Sequence, residues 1–167
     1  MTMQGHLSLL NDPVAARLLE RQTIMRLSYC WLDGSPRVVP HWFLWNGYEV
    51  VLATPADSPK VRALQHNPAV ALTIDTVEFP PQVLMLRGSA RLEIVNGPPP
   101  EFAETSRRYF GVDQGEAWVQ QAGALTGAWA RIVITPTWVG VLDYETRFPS
   151  ALMRGMRRLG VAATSHR

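Results

Sequence analysis

The sequence predicts a mainly β, α+β domain: six to seven antiparallel strands rolled into a closed or nearly closed barrel, with short flanking helices. Three observations predict it. Turn signals recur at short intervals, Asp33-Gly34 and Asn46-Gly47 above all. The segments between them are rich in β-branched, aromatic and aliphatic residues, and helical periodicity is confined to brief stretches flanked by proline or glycine. Closing such a sheet removes its exposed edges.

Asn11-Asp12-Pro13 followed by Val14, Leu18 and Leu19 is a capped amphipathic helix start, expected to end near Gln22. A strand follows from Ile24 to Trp31, the Asp33-Gly34 turn reverses the chain, and a second extended run covers Arg37 to Trp45. Asn46-Gly47 turns it again, so that Tyr48 to Thr54 pairs back and completes a meander. Ser58 and Pro59 open a short helix that stops at His66, before Asn67-Pro68. Ala69 to Thr76 is again strand, and Gln82 to Val95 is a long one with Gly88 as a bulge or bend. After Gly97-Pro98-Pro99-Pro100, two helices are expected over Glu101 to Phe110 and Asp113 to Gln121. The last strands are Trp129 to Thr135 and Trp138 to Tyr144, divided by Pro136.

With 167 residues, 47% hydrophobic and 18% charged, the chain is expected to form one domain with a real core, residues 1–147, and a basic C-terminal tail, residues 148–167. Net charge is +2, yet no acidic residue follows Glu145, so the excess of positive charge belongs to the tail and a nucleic-acid partner is not expected. The tail reads as partly ordered, with a membrane-surface or partner-binding helix as the alternative. No signal-peptide pattern and no membrane-spanning apolar run is visible, which makes a cytoplasmic, membrane-free protein the expectation. The single cysteine, Cys30, excludes an internal disulfide and a multi-cysteine zinc site, and reads as a buried, inert thiol. His6, His41, His66 and His166 have no metal-ligand spacing, so no metal is expected. Gly-x-Ser-x-Gly, Gly-x-x-x-x-Gly-Lys-Ser/Thr and Gly-x-Gly-x-x-Gly are all missing, which removes the usual serine hydrolase, nucleoside-triphosphate and Rossmann readings.

Lys60 is the only lysine among sixteen lysine and arginine residues, and it stands in the first turn of the helix that begins at Ser58-Pro59. The Ser58 hydroxyl as cap, Pro59 at the first helical position and the free N–H groups of that turn make an anion site. The alternative is a solvated surface lysine. The hairpin through Asn46-Gly47 is expected to bring Arg37 beside Ala53-Thr54, adding a guanidinium and a second hydroxyl around the same point, a composition suited to a phosphate monoester. Pro40 in mid-strand cannot donate to a ladder, which implies an edge, a bulge or a gap, and a flat ligand attached to the phosphate could occupy such a gap.

Asp33-Gly-Ser-Pro-Arg-Val-Val-Pro, Leu52-Ala-Thr with Ser58 and Lys60, Asn67-Pro68, and Gln82-Val-Leu-Met-Leu-Arg-Gly-Ser-Ala-Arg-Leu occur in an order that resembles the pyridoxamine-phosphate-oxidase-like FMN-binding split β-barrels, over roughly residues 15 to 145. The resemblance implies a split β-barrel, a homodimer with FMN at the subunit interface, and oxidoreductase activity on a small molecule. It implies Arg37, Thr54, Ser58 and Lys60 as phosphate ligands, with Ala53 and Pro59 in the same segment. Val38, Val39, Pro40, His41 and Trp42 would lie beside the isoalloxazine, and Gln82 would reach the ring from the second subunit. Trp42 stands where vitamin B6 oxidases tend to have lysine and Pro59 where they have arginine, and their C-terminal substrate segment is not evident, which argues against pyridoxamine-phosphate oxidation itself. The deazaflavin F420 in place of FMN, or a flavin- or haem-binding protein without turnover, are the alternatives within the family. His41 is the first candidate for a proton donor or substrate contact, a structural histidine being the alternative.

Overall fold

The computed structural model describes residues 4–21 and 23–160. Its seven strands, β1 (Met25–Cys30), β2 (Pro36–His41), β3 (Leu44–Trp45), β4 (Val50–Pro55), β5 (Ala69–Asp75), β6 (Val83–Asn96) and β7 (Ala128–Leu142), form one antiparallel sheet in the order β2-β1-β5-β6-β7-β4-β3. The helices are α1 (Pro13–Glu20), α2 (Pro59–His66), α3 (Pro100–Phe110), α4 (Val112–Leu125) and α5 (Ser150–Leu159), with a 3₁₀ turn at Leu7–Asn11. Gln22, where α1 was expected to end, lies outside the described residues, as do residues 161–167 of the tail, including His166.

The sheet curls around a core of strand and helix side chains, among them Leu27, Leu52, Val61, Ile74, Leu86 and Ile132. It does not close. β2 and β3 are its two ends, and among the described residues no ladder joins them. The run expected to be one strand from Arg37 to Trp45 is broken at Trp42-Phe43, where Phe43 turns into the core at 1% exposure. Burying a phenylalanine is worth about 2–3 kcal/mol, enough to outweigh the ladder bonds lost at a sheet edge. The barrel is thus split between two strands consecutive in the chain.

β6 and β7 are the longest elements and pair along their whole length, Val83 with Leu142 through Asn96 with Ala128. Pro136, expected to separate two strands, lies inside β7. Its missing N–H coincides with the register shift at Arg87/Gly88, where Pro136 faces Gly88. β4 is buried throughout because it has covers on both faces. Val50 and Leu52 join the barrel core, while Ala53 packs with Phe102, Ala122 and Trp129 beneath the α3–α4 hairpin. Within the tail, expected to be partly ordered with a helix as the alternative, Ser150–Leu159 is helical and none of these residues is buried. Cys30 is half-buried rather than fully enclosed.

Arg147 ties the end of β7 to the start of α1. Its guanidinium donates to both Asp12 oxygens at 2.6 and 3.0 Å and to Asp143 at 3.1 Å. Burial pushes the Asp143 carboxyl up, but the Thr146 hydroxyl and the backbone N–H groups of Arg147, Glu145 and Thr146 outweigh it, so the group stays well below the usual carboxylate range. Asp12 is lowered too, mainly by its hydrogen bonds from Arg147.

Two substitutions check this frame. A Cβ on Gly88 would stand 2.3 Å from the Thr135 carbonyl oxygen, so Gly88→Ala is expected to cost roughly 2–3 kcal/mol in urea unfolding. Arg147→Met strands two carboxylates and is expected to cost roughly 2–3 kcal/mol at pH 7. Because the folded carboxylates titrate lower than the unfolded ones, this stabilisation is complete above about pH 4 and fades as pH falls further. The gap between wild type and Arg147→Met should therefore hold from pH 7 to 5 and narrow below 4.

Candidate functional site

Three polar side chains meet where β4 runs into α2. The Thr54 and Ser58 hydroxyls are 2.8 Å apart, and the Lys60 ammonium donates to Thr54 Oγ1 at 3.0 Å. Thr54 continues the core side of β4 and is buried; Ser58 and Lys60 are half-buried. Val61, Ala63 and Leu64 plug one face of α2 into the barrel core, and that anchoring holds the first turn of α2 against the end of β4. Ser58 occupies the N-cap position, but its hydroxyl makes no cap bond, contrary to expectation, because it is turned toward Thr54. By position the Lys60 backbone N–H has no intrahelical acceptor.

Burial pushes the Lys60 ammonium below its ordinary range. Among the described residues no carboxylate lies within ion-pair distance of it. A partly desolvated cation with two hydroxyls, a helix N-terminus and no counter-ion is built to receive an anion.

β2 supplies the opposite wall, though not as the sequence implied. The β3–β4 register pairs Leu44 with Val51 and Trp45 with Val50. That ladder stops at Leu44, and β2 pairs with β1 instead of β4, so the hairpin's hydrogen bonds do not carry Arg37 to Thr54 as expected. Arg37 pairs with Tyr29 at the far end of β2, is exposed, donates to the Pro36 carbonyl at 3.3 Å and lies near Asp33. It shares a strand face with Val39 and His41 by alternation.

His41 Nδ1 is 2.7 Å from the Trp42 carbonyl, which only accepts, so Nδ1 carries the proton and Nε2 is free to accept. Burial is the main cause that pushes the His41 imidazole down to about 4, and the Lys60 charge adds to it. His41 is thus a neutral acceptor at physiological pH and not a ready proton donor. Together with Ile24, Pro40 and Trp42 it lines a cavity of about 290 Å³.

The remaining expected residues divide. Val38 is 66% exposed on the outer face of the sheet, in an apolar hollow with Ser28, Ala71, Met85 and Trp138. Val39 packs against the core, and Ala53 is turned into the cluster under α3 and α4, leaving only its backbone to face the site. Pro59 is exposed at the first helical position. Gln82 follows the β5–β6 turn with its backbone N–H on Thr76 Oγ1, at 3.0 Å. Sequence reasoning missed Tyr109 and Phe110, which lie more than 65 positions from Trp42 and meet it only through the fold. Trp42 stacks on Tyr109 with ring centres 4.9 Å apart.

Residues 12–143 match the family model described as pyridoxamine 5'-phosphate oxidase. Comparison with curated proteins returns no match. Among solved structures, an F420 reductase is similar with 27% identity, covering 74% of this chain and 93% of its own, at a TM-score of 0.58. A putative pyridoxamine 5'-phosphate oxidase from Listeria innocua is similar with 20% identity, 80% and 98% coverage and a TM-score of 0.56. The haem storage protein HutZ from Vibrio cholerae has 15% identity, 79% and 93% coverage and a TM-score of 0.57.

The His41 environment is directly measurable. Its imidazole should titrate near pH 4 by NMR, and Lys60→Met should raise that midpoint by removing a like charge. Since the unfolded imidazole titrates near 6.5, the unfolded chain binds more protons between 6.5 and 4, and His41 should lower stability as pH falls through that window.

Proposed function

We propose that this chain, which belongs to the pyridoxamine 5'-phosphate oxidase family, holds the phosphate of FMN at Thr54, Ser58 and Lys60 and acts as a flavin-dependent oxidoreductase on a small molecule. The observation that carries this reading is the half-buried Lys60 ammonium, hydrogen-bonded to Thr54 and lacking a carboxylate among the described residues. A phosphate monoester fits that donor set. Lys60 neutralises charge, the two hydroxyls turn their protons outward, and the first-turn N–H groups of α2 complete the shell. Arg37 contributes by leaving Asp33 and extending along the face of β2 that it shares with His41.

When bound, FMN supplies the hydride chemistry. The chain's part is to hold and orient it. β2, ending at Pro40 and His41, offers an edge with no N–H at the proline, along which the ring system lies. His41 Nε2 accepts one hydrogen bond from the ligand. A second subunit packs on the outer hollow around Val38 and Trp138 and brings its Gln82 to the ring. Oxidation of pyridoxamine phosphate itself is not part of this reading, because Trp42 and Pro59 replace the cationic residues that such a substrate needs.

The similarity to an F420 reductase favours a second reading, the same phosphate site holding F420, with Arg62 and Arg87 as candidates for its longer anionic tail. Mass spectrometry of the ligand that copurifies separates the two. In a direct titration, Lys60→Ala with Arg37→Ala should weaken FMN binding by about 10–100-fold, the worth of one or two charge-assisted hydrogen bonds. Unchanged affinity would overturn the phosphate assignment.

A further inference from the structure

The positive charge of this chain is gathered at its end. Residues 1–146 hold eleven lysine and arginine side chains against fourteen acidic ones, whereas residues 147–167 hold five arginines and no acid. Arg154, Arg157 and Arg158 lie on α5 at i, i+3 and i+4, which is one side of the helix. Leu152, Met156 and Leu159 stand at i, i+4 and i+7, with Met153 a turn before Met156, and they make the other side.

The apolar side is uncovered. Leu152 is 53% and Leu159 79% exposed, Met153 and Met156 are half-buried, and none of the four joins either buried cluster of the domain. The start of the helix is nevertheless fixed: Arg147 bonds to Asp12 and Asp143, Phe148 meets Tyr144 edge to face with ring centres 6.0 Å apart, and the Met153 N–H donates to the Pro149 carbonyl. Gly160, left-handed at φ 65°, ends it. α5 is thus a formed helix with two unlike sides, rooted on the barrel, and whatever holds it carries the domain along.

We infer that α5 docks on the surface of an anionic phospholipid bilayer, with its apolar side toward the acyl chains and its arginines among the phosphates. Three features select a lipid surface. A helix lying at the boundary of headgroups and acyl chains meets both media at once, whereas a nucleic acid or a protein groove takes one side and leaves the other as it is. Arg157 follows Met153 by four residues and so borders the apolar side, and the arginine stems are long enough to lift their guanidiniums to the phosphates. A stable protein interface draws on roughly 20–30 residues a side, and α5 offers ten. Charge sets the orientation: the net-acidic body is repelled by an anionic surface, and α5 is the part drawn to it. Ten residues are too few to cross a bilayer, and among the described residues no helix is long and apolar enough to do so, so the contact is with one leaflet. This departs from the membrane-free expectation, which rested on the want of a spanning segment.

Cosedimentation of the full chain with lipid vesicles tests the inference. Wild type should pellet with vesicles of phosphatidylglycerol and phosphatidylcholine in equal parts and stay in solution with phosphatidylcholine alone. Binding should weaken steeply as salt rises toward about 1 M, where charges are screened beyond about 3 Å. Arg154→Gln with Arg157→Gln should lose roughly 25-fold in partitioning, about fivefold for each charge near the surface. Leu152→Ser with Leu159→Ser should lose about tenfold or more, and because no residue of α5 is buried both double variants should unfold in urea at the wild-type midpoint. Absence of wild-type binding to the anionic vesicles would overturn the inference. So would wild-type affinity in either folded double variant, which in the leucine variant would leave only a stripe for any polyanion. Conversion of an oligomer to monomer by Leu152→Ser with Leu159→Ser in light scattering would also overturn it, since a second copy would then be what covers the helix.

Discussion

The β6–β7 ladder is the constraint from which the site follows. Two strands of 14 and 15 residues cannot pair flat over such a length without twisting, and the register shift at Arg87/Gly88 lets them bend where Pro136 has no N–H to give. One half of β7 then takes β4 as its other neighbour, while the opposite half of β6 takes β5 and through it β1 and β2. The two arms curl toward each other and stop short. β2 and β3 are left as edges separated by the Trp42-Phe43 step, and α2 packs Val61 and Leu64 into the core. The opening is where the sheet does not complete its ladder.

Lys60 shows why the opening is polar at one point only. An ammonium that has lost part of its hydration and has no carboxylate raises the free energy of the empty protein, and Thr54 Oγ1 returns only part of what water supplied. Two other half-buried cations are paired, Arg147 with two carboxylates and Arg131 with Glu93 and Glu101, while Arg108 Nη1 is buried without a hydrogen-bond partner. What sets Lys60 apart is its company, two hydroxyls and the first turn of α2.

Much of the fold was legible in the sequence because it depends on local chemistry. Asp12-Pro13, Ser58-Pro59 and Asn67-Pro68 mark helix ends through capping and proline sterics, and the structure starts and stops α1 and α2 within a residue or two of them. Asp33-Gly34 and Asn46-Gly47 turn as their left-handed glycines require, with φ of 81° and 100°. What failed was what depends on competition over distance. The break at Trp42-Phe43 is decided by the burial of Phe43, and the continuity of β7 through Pro136 by its pairing with Gly88. At the site, Thr54, Ser58 and Lys60 lie within seven residues and were found together. Arg37 lies on β2, which parts from the hairpin at Trp42-Phe43 to pair with β1, a choice that the whole sheet decides and no local signal carries.

That parting gives the site its two sides. While β2 is paired, its residues alternate between the core face and the outer face, and His41 is the last to do so, close enough to Lys60 to feel its charge. One residue later the strand has left its ladder, and Trp42 lies against Tyr109 and Phe110 of the α3–α4 hairpin. Both side chains line one cavity with Ile24 and Pro40, and Trp42 joins that cavity's wall to the α3–α4 hairpin. The carbonyl of Trp42 also takes the Nδ1 proton of His41 and so leaves Nε2 as an acceptor.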